Sequence, residues 1–181
     1  KVSDKIAMIK NLLPTTDKVL VGGAMSATIL KSEGYQTGKT IVDDDLINEC
    51  KTLIKTEKIV FPVDVVTNSG SKEIDELTED DTILDIGPLT IEMFKKQLKN
   101  KPLIIVNGTM GKYEDKLYEN GTKEILNYLN GKTSKVIVLG GDAASAATKY
   151  NLQAYYKSTG GGASLEYLSG EVLPALKIME D

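Results

Sequence analysis

Ser158-Thr159-Gly160-Gly161-Gly162-Ala163-Ser164 follows a short β-like run, Gln153 to Lys157, and precedes a helical one, Ser164 to Leu168. Consecutive glycines carry no Cβ, so backbone here can approach a ligand closely and adopt positive φ. At a helix N-terminus the first N–H groups lack intrahelical partners, and the dipole favours negative charge in front of them. A phosphate suits such a place. A flexible turn closed by a Ser or Thr cap reads the same way from this stretch alone. The other glycine turns decide between the two.

Working outward, Gly140-Gly141-Asp142-Ala143 closes the apolar run Lys135 to Leu139 and opens an alanine-rich helix. Asn107-Gly108 ends the run Lys101 to Val106, and a helix follows from about Gly121 to Leu129. Gly22-Gly23 ends Lys18 to Val21 and leads into a helix from Ala24 to Glu33. Each is a strand, a glycine turn and a helix. Most strands are continuous apolar runs, the mark of a parallel sheet covered on both faces. The expected fold is therefore α/β, a Rossmann-like doubly wound parallel β-sheet with helices on both faces. Right-handed crossovers put all four glycine turns at the C-terminal edge, where open α/β sheets bind ligands. Together they point to a phosphate-bearing ligand.

The remaining elements complete this pattern. Ser3 or Asp4 can cap a helix carrying Ile6, Ile9, Leu12 and Leu13 on one face, stopped by Pro14. Lys1 and Lys5 share a face near its start, where positive charge opposes the dipole; an anion held between them, or plain solvation, accounts for both. Asp43-Asp44-Asp45 falls in the first turn of a second helix. Ile59 to Val66 reads as a strand with Pro62 at an edge or bulge. Thr67 to Asp81 is polar and aperiodic, a surface loop, and Thr82 to Ile86 is a strand running into a helix through Ile91, Phe94 and Leu98.

Composition narrows the function. A chain of 181 residues supports one domain with a substantial core. No apolar run approaches the roughly 20 residues of a membrane span. The single cysteine, Cys50, fits a reducing compartment. Histidine is absent, which removes imidazole catalysis and His-ligated metals within the chain. Arginine is absent too, so anion recognition rests on lysines and backbone N–H groups. A net charge of −4 argues against a nucleic-acid partner. The lack of G-x-G-x-x-G argues against a dinucleotide oxidoreductase.

Lys1 to Ile6, Gly22-Gly23-Ala24-Met25, Pro62-Val63-Asp64, Asp85-Ile86-Gly87-Pro88, Asn107 to Gly111, Gly140-Gly141-Asp142 and Ser158 to Leu165 occur in the order seen in phosphoglycerate kinases. The chain resembles the C-terminal, nucleotide-binding domain of that two-domain family across residues 1–181. The resemblance implies a cytoplasmic, monomeric glycolytic kinase domain that binds ADP or ATP with Mg²⁺. Phosphoglycerate would then be presented by an N-terminal domain that, with the first strand, lies outside this sequence. By the same resemblance Lys1 would contact the transferred phosphoryl group and Lys5 the nucleotide phosphates. Gly22, Gly23, Ile41 and Leu84 would line the adenine pocket, Asn107 and Gly111 would lie along the nucleotide, and Glu114 would bind the ribose. Gly140, Gly141 and the Ala143 N–H would adjoin the phosphates, Asp142 would hold Mg²⁺, and Gly160, Gly161 and Gly162 would offer N–H groups to the migrating phosphoryl. Thr109 stands where the family has proline, Ala143 where it has threonine, Val106 where it has tryptophan and Ala24 where it has a third glycine. Such substitutions also suit a non-catalytic nucleotide-sensing or structural module that keeps the fold.

Overall fold

The computed structural model describes residues 2–160. The N-terminal helix α1 (Val2–Leu12) turns its Ile6 and Ile9 inward and ends in a 3-10 turn, Leu13–Thr15, around Pro14. Strand β1 (Val19–Leu20) pairs in parallel with β2 (Ile59–Val60), with α2 (Gly23–Ser32) and α3 (Ile47–Ile54) between them in sequence. Alternate residues of this pair face opposite cores, as the two-residue period of a strand requires. Val19, Val21 and Ile59 pack with Ile6, Met25, Ile29, Cys50 and Leu53 of α1, α2 and α3. Leu20 and Val60 pack instead with Ile91 and Phe94 of α4 (Pro88–Leu98) and Ile125 of α5 (Asn120–Leu129). Helices therefore cover both faces.

The second parallel block contains β6 (Leu103–Asn107), β7 (Lys135–Leu139) and β8 (Tyr156–Ser158), hydrogen-bonded in that order. Its core joins Ile104, Val136 and Val138 to Leu126 and Leu129 of α5 and to Ala143, Ala146 and Ala147 of α6 (Gly141–Lys149). Small alanines let α6 lie close against the strands.

The middle third departs from the sequence reading. Ile59 to Val66 is two strands, not one: the chain breaks at Pro62, and β3 (Asp64–Thr67) joins a separate antiparallel sheet, between β4 (Gly70–Glu73) and β5 (Ile83–Ile86). Thr67 to Asp81 is not a plain surface loop, since it holds β4 (Gly70–Glu73) and a 3-10 turn, Ile74–Glu76. Strand β5 (Ile83–Ile86) runs antiparallel to β3. Asp81 explains why so polar a stretch is ordered. Its buried carboxylate accepts from Lys72 Nζ at 2.8 Å, Ser69 Oγ at 2.6 Å and Thr78 N at 2.7 Å. These donors hold its pKa below the usual carboxylate range. Asp44 and Asp45 lie in a 3-10 turn (Asp44–Leu46) before α3, not in its first turn.

Two buried carboxylates fix the next helices. Asp64, on β3, accepts from Leu89 N at 3.0 Å and Thr90 N at 2.7 Å, so a side chain from another element caps α4. A Cβ on Gly87 would overlap that carboxylate. Asp85, on β5, accepts from Gly121 N in the first turn of α5 at 2.6 Å and from Ile86 N at 2.9 Å. Burial pushes its pKa up to about 6, against the pull of those two N–H groups.

A candidate nucleotide site at the C-terminal sheet edge

Parallel pairing sets Asn107, Leu139 and Ser158 in one row at the ends of β6, β7 and β8. Side chain and backbone lace this row together. Asn107 Nδ2 donates to Leu139 O at 2.9 Å, and Gly140 N donates to Ser158 O at 2.9 Å. Gly140, with φ +95, turns the chain into α6 and places Asp142 in the exposed first turn of that helix. Ala143 is buried, so what it can offer the edge is its N–H. Gly141 has open space where a side chain would project. Gly160 is exposed, its N–H on Ser158 Oγ at 3.2 Å. Lys1, Gly161, Gly162 and the helix expected from Ser164 lie outside the described residues.

The turn after β1 meets the turn after β6. Gly23 N donates to Met110 O at 2.8 Å, and Gly23 takes φ +60. A Cβ on Gly22 would stand 2.6 Å from Met110 Sδ, and one on Gly23 would stand 2.9 Å from Thr109 O. The glycine pair is thus what allows the two halves to close on each other.

Lys5 reaches this junction from α1. Its ammonium lies where a Cβ on Gly108 would project, and Gly108 takes φ +92. Burial lowers the Lys5 pKa, while the field of Asp142 opposes that shift. The two groups form no ion pair, since none within 4.0 Å joins them among the described residues. A half-buried cation, a nearby carboxylate and strand-end backbone therefore face one another without neutralising one another. That is an arrangement suited to a polyanion and a hard cation together. The sequence names Lys5, Asp142 and the Asn107-Gly108 turn separately; that Gly108 makes room for the Lys5 ammonium has no signal in it.

The remaining expected residues sit around this centre with unequal exposure. Ile41 is 88% exposed and, with Val2, Ala24 and Asp43 to Asp45, lines an open cleft of about 350 Å³. Leu84 is half-buried; Ile83 N donates to Thr40 Oγ1 at 2.8 Å, which sets the segments of Ile41 and Leu84 side by side. Gly111 packs on Leu84 O and Asp85, so its lack of a side chain serves contact with β5. Glu114 is exposed and makes no hydrogen bond or ion pair among the described residues. No group of three or more acidic or thiol side chains able to hold a metal occurs among the described residues. Asp142 alone would supply a protein oxygen, a donor that fits Mg²⁺ completed by water and phosphate.

Fold and edge define an α/β protein of the open parallel-sheet class, with its glycine turns gathered on the carboxyl side. Residues 1–171 match the family described as "Phosphoglycerate kinase", and the chain belongs to that family. The phosphoglycerate kinase of Thermosipho africanus is 41% identical over 198 residues, covering 97% of this chain and 48% of the relative. That of Finegoldia magna is 41% identical over 196 residues, covering 100% of this chain and 50% of the relative. The solved phosphoglycerate kinase of Coxiella burnetii superposes with a TM-score of 0.93 at 34% identity, over 99% of this chain and 50% of that one. The chain spans about half the length of the relatives it matches. Among the described residues no helix is long and apolar enough to cross a membrane.

Proposed function

We propose that this chain is the C-terminal, nucleotide-binding half of a phosphoglycerate kinase, holding Mg-ADP or Mg-ATP for reversible phosphoryl transfer between 1,3-bisphosphoglycerate and ADP. The observation that carries this reading is the convergence of Lys5, Gly108 and Asp142 at the edge where Gly22-Gly23 and Gly140-Gly141 also end. Lys5 neutralises phosphate charge from a half-buried position, where a charge acts more strongly than in water. Strand-end N–H groups, including those of Gly141 to Ala143 in the first turn of α6, orient the phosphates. Mg²⁺, when bound with the nucleotide at Asp142, supplies further charge neutralisation. Gly22, Gly23, Ile41 and Leu84 receive the base, and Asn107, Gly111 and Glu114 border the sugar and phosphates. Lys1 and Gly160 to Gly162 act on the migrating phosphoryl group.

Phosphoryl transfer requires little covalent chemistry from the protein and much positioning. This half provides the donor side. The chain contains no arginine to hold a phosphoglycerate, so a second domain must present the acceptor and close over this one. Alone, in the cytoplasm as a monomer, the chain binds nucleotide without appreciable turnover. Calorimetric titration with ADP tests the binding half of this reading: affinity should fall when Mg²⁺ is chelated, and Asp142→Ala should remove that dependence without unfolding the chain. No binding at millimolar ADP would favour a structural module with the same fold. Supplying the acceptor domain should restore turnover.

A further inference from the structure

The loop carrying Glu114 is anchored at a point outside the edge already described. Lys149 Nζ, at the C-terminal end of α6, donates to Tyr113 O at 2.8 Å. That carbonyl belongs to the peptide group joining Tyr113 to Glu114. The same ammonium donates to Glu119 Oε2 at 2.8 Å, and Tyr150 Oη donates to that oxygen at 3.0 Å. It also lies 5.5 Å from the ring centroid of Tyr113 and 5.2 Å from that of Tyr150, within cation–π range. Tyr113 is itself buried in the core beneath β6 and β7.

We propose that Lys149 is a positioning residue for Glu114, fixing the preceding peptide so that the exposed carboxylate is presented to a vicinal diol such as the ribose of a nucleotide. The proposal rests on the ribose role given to Glu114 above. Glu114 has no bond of its own among the described residues. On one side its segment is fixed where Lys112 N donates to Leu84 O at 2.8 Å. On the other, Lys149 ties the carbonyl of Tyr113 to the pair Glu119–Tyr150. Removing the ammonium frees the carbonyl of the Tyr113–Glu114 peptide, while the flanking turn, with Tyr113 N on Gly111 O at 2.9 Å and Asp115 N on Lys112 O at 3.0 Å, stays in place. A carboxylate that must meet two hydroxyls then loses orientation before it loses charge.

The test compares ADP with 2′,3′-dideoxy-ADP, titrated in the presence of Mg²⁺ against the full chain and its variants. Hydrogen bonds to a charged group give the wild type a preference for ADP of about tenfold or more. Glu114→Gln should reduce that preference sharply. Lys149→Met should reduce it to a similar degree while leaving dideoxy-ADP affinity near wild type, and Lys149→Arg, which still donates to a carbonyl, should restore much of it. If Glu114→Gln loses the preference and Lys149→Met keeps it, the positioning role is overturned and the ribose role stands. If Glu114→Gln itself keeps the preference, both fall. If Lys149→Met weakens both ligands equally, Lys149 is a structural prop only.

Discussion

Gly108→Ala is the perturbation that separates backbone strain from site chemistry. Gly108 takes φ +92, and its missing side chain leaves the space that the Lys5 ammonium occupies. Gly34 takes φ +91 with nothing within 4 Å of where a Cβ would stand. Both substitutions force a side chain into a sparsely populated conformation, at about 1–3 kcal/mol. Each kilocalorie lowers the melting temperature of a chain of this size by roughly 2–4 °C. Only Gly108→Ala must also displace Lys5. Losing a charge-assisted contact to phosphate, worth about 1.5–3 kcal/mol, corresponds to roughly tenfold to hundredfold weaker Mg-ADP binding. Thermal melts and ADP titrations of both variants check this. Equal losses of stability with unequal losses of affinity are expected. If Gly108→Ala binds ADP as Gly34→Ala does, Lys5 does not work through this space.

The three buried carboxylates Asp64, Asp81 and Asp85 give separate tests. Asp85 has its pKa raised from 3.8 to about 6 by burial, so the folded chain binds the proton more tightly than the unfolded one, and stability falls as pH rises from about 4 to about 6. The full effect is of order 3 kcal/mol. Asp81 acts with the opposite sign, losing its contribution only as pH drops below about 4. In urea unfolding at pH 4.5 and 6.5, Asp85→Asn should abolish the decline that the wild type shows; an unchanged difference would contradict the assignment. Asp64→Ala should strip the first turn of α4 of its acceptor, leaving Leu89 and Thr90 N–H groups unpaired at about 1–3 kcal/mol. A wild-type urea midpoint would show that water replaces the cap without loss.

Much of the fold was legible because parallel strands buried on both faces are written as apolar runs, and Lys101 to Leu139 contains two of them around one amphipathic helix. The glycine turns placed the edge. The antiparallel sheet was not legible. Gly70-Ser71-Lys72-Glu73 is a largely exposed hairpin strand whose partner is fixed by the buried Asp81, and neither feature leaves an apolar alternation. Strand direction is equally silent in a sequence, so β5 looked like one more parallel strand. At the site, Lys5 and Asp142 could be named separately, but their approach depends on α1 crossing to the turn after β6. Gly34 and Gly108 have nearly the same φ and differ in what surrounds them, which no local pattern encodes.

Every role proposed for these residues requires a Mg-nucleotide at the C-terminal sheet edge. Amide chemical-shift mapping of the full chain during titration with Mg-ADP tests it most directly. The largest changes should cluster at Gly22, Gly23, Asn107, Gly108 and Gly140 to Ala143, and they should shrink in Asp142→Ala. Saturable binding that shifts the opposite end of β6, β7 and β8, around Leu103, Lys135 and Tyr156, while leaving those amides unmoved, would contradict it.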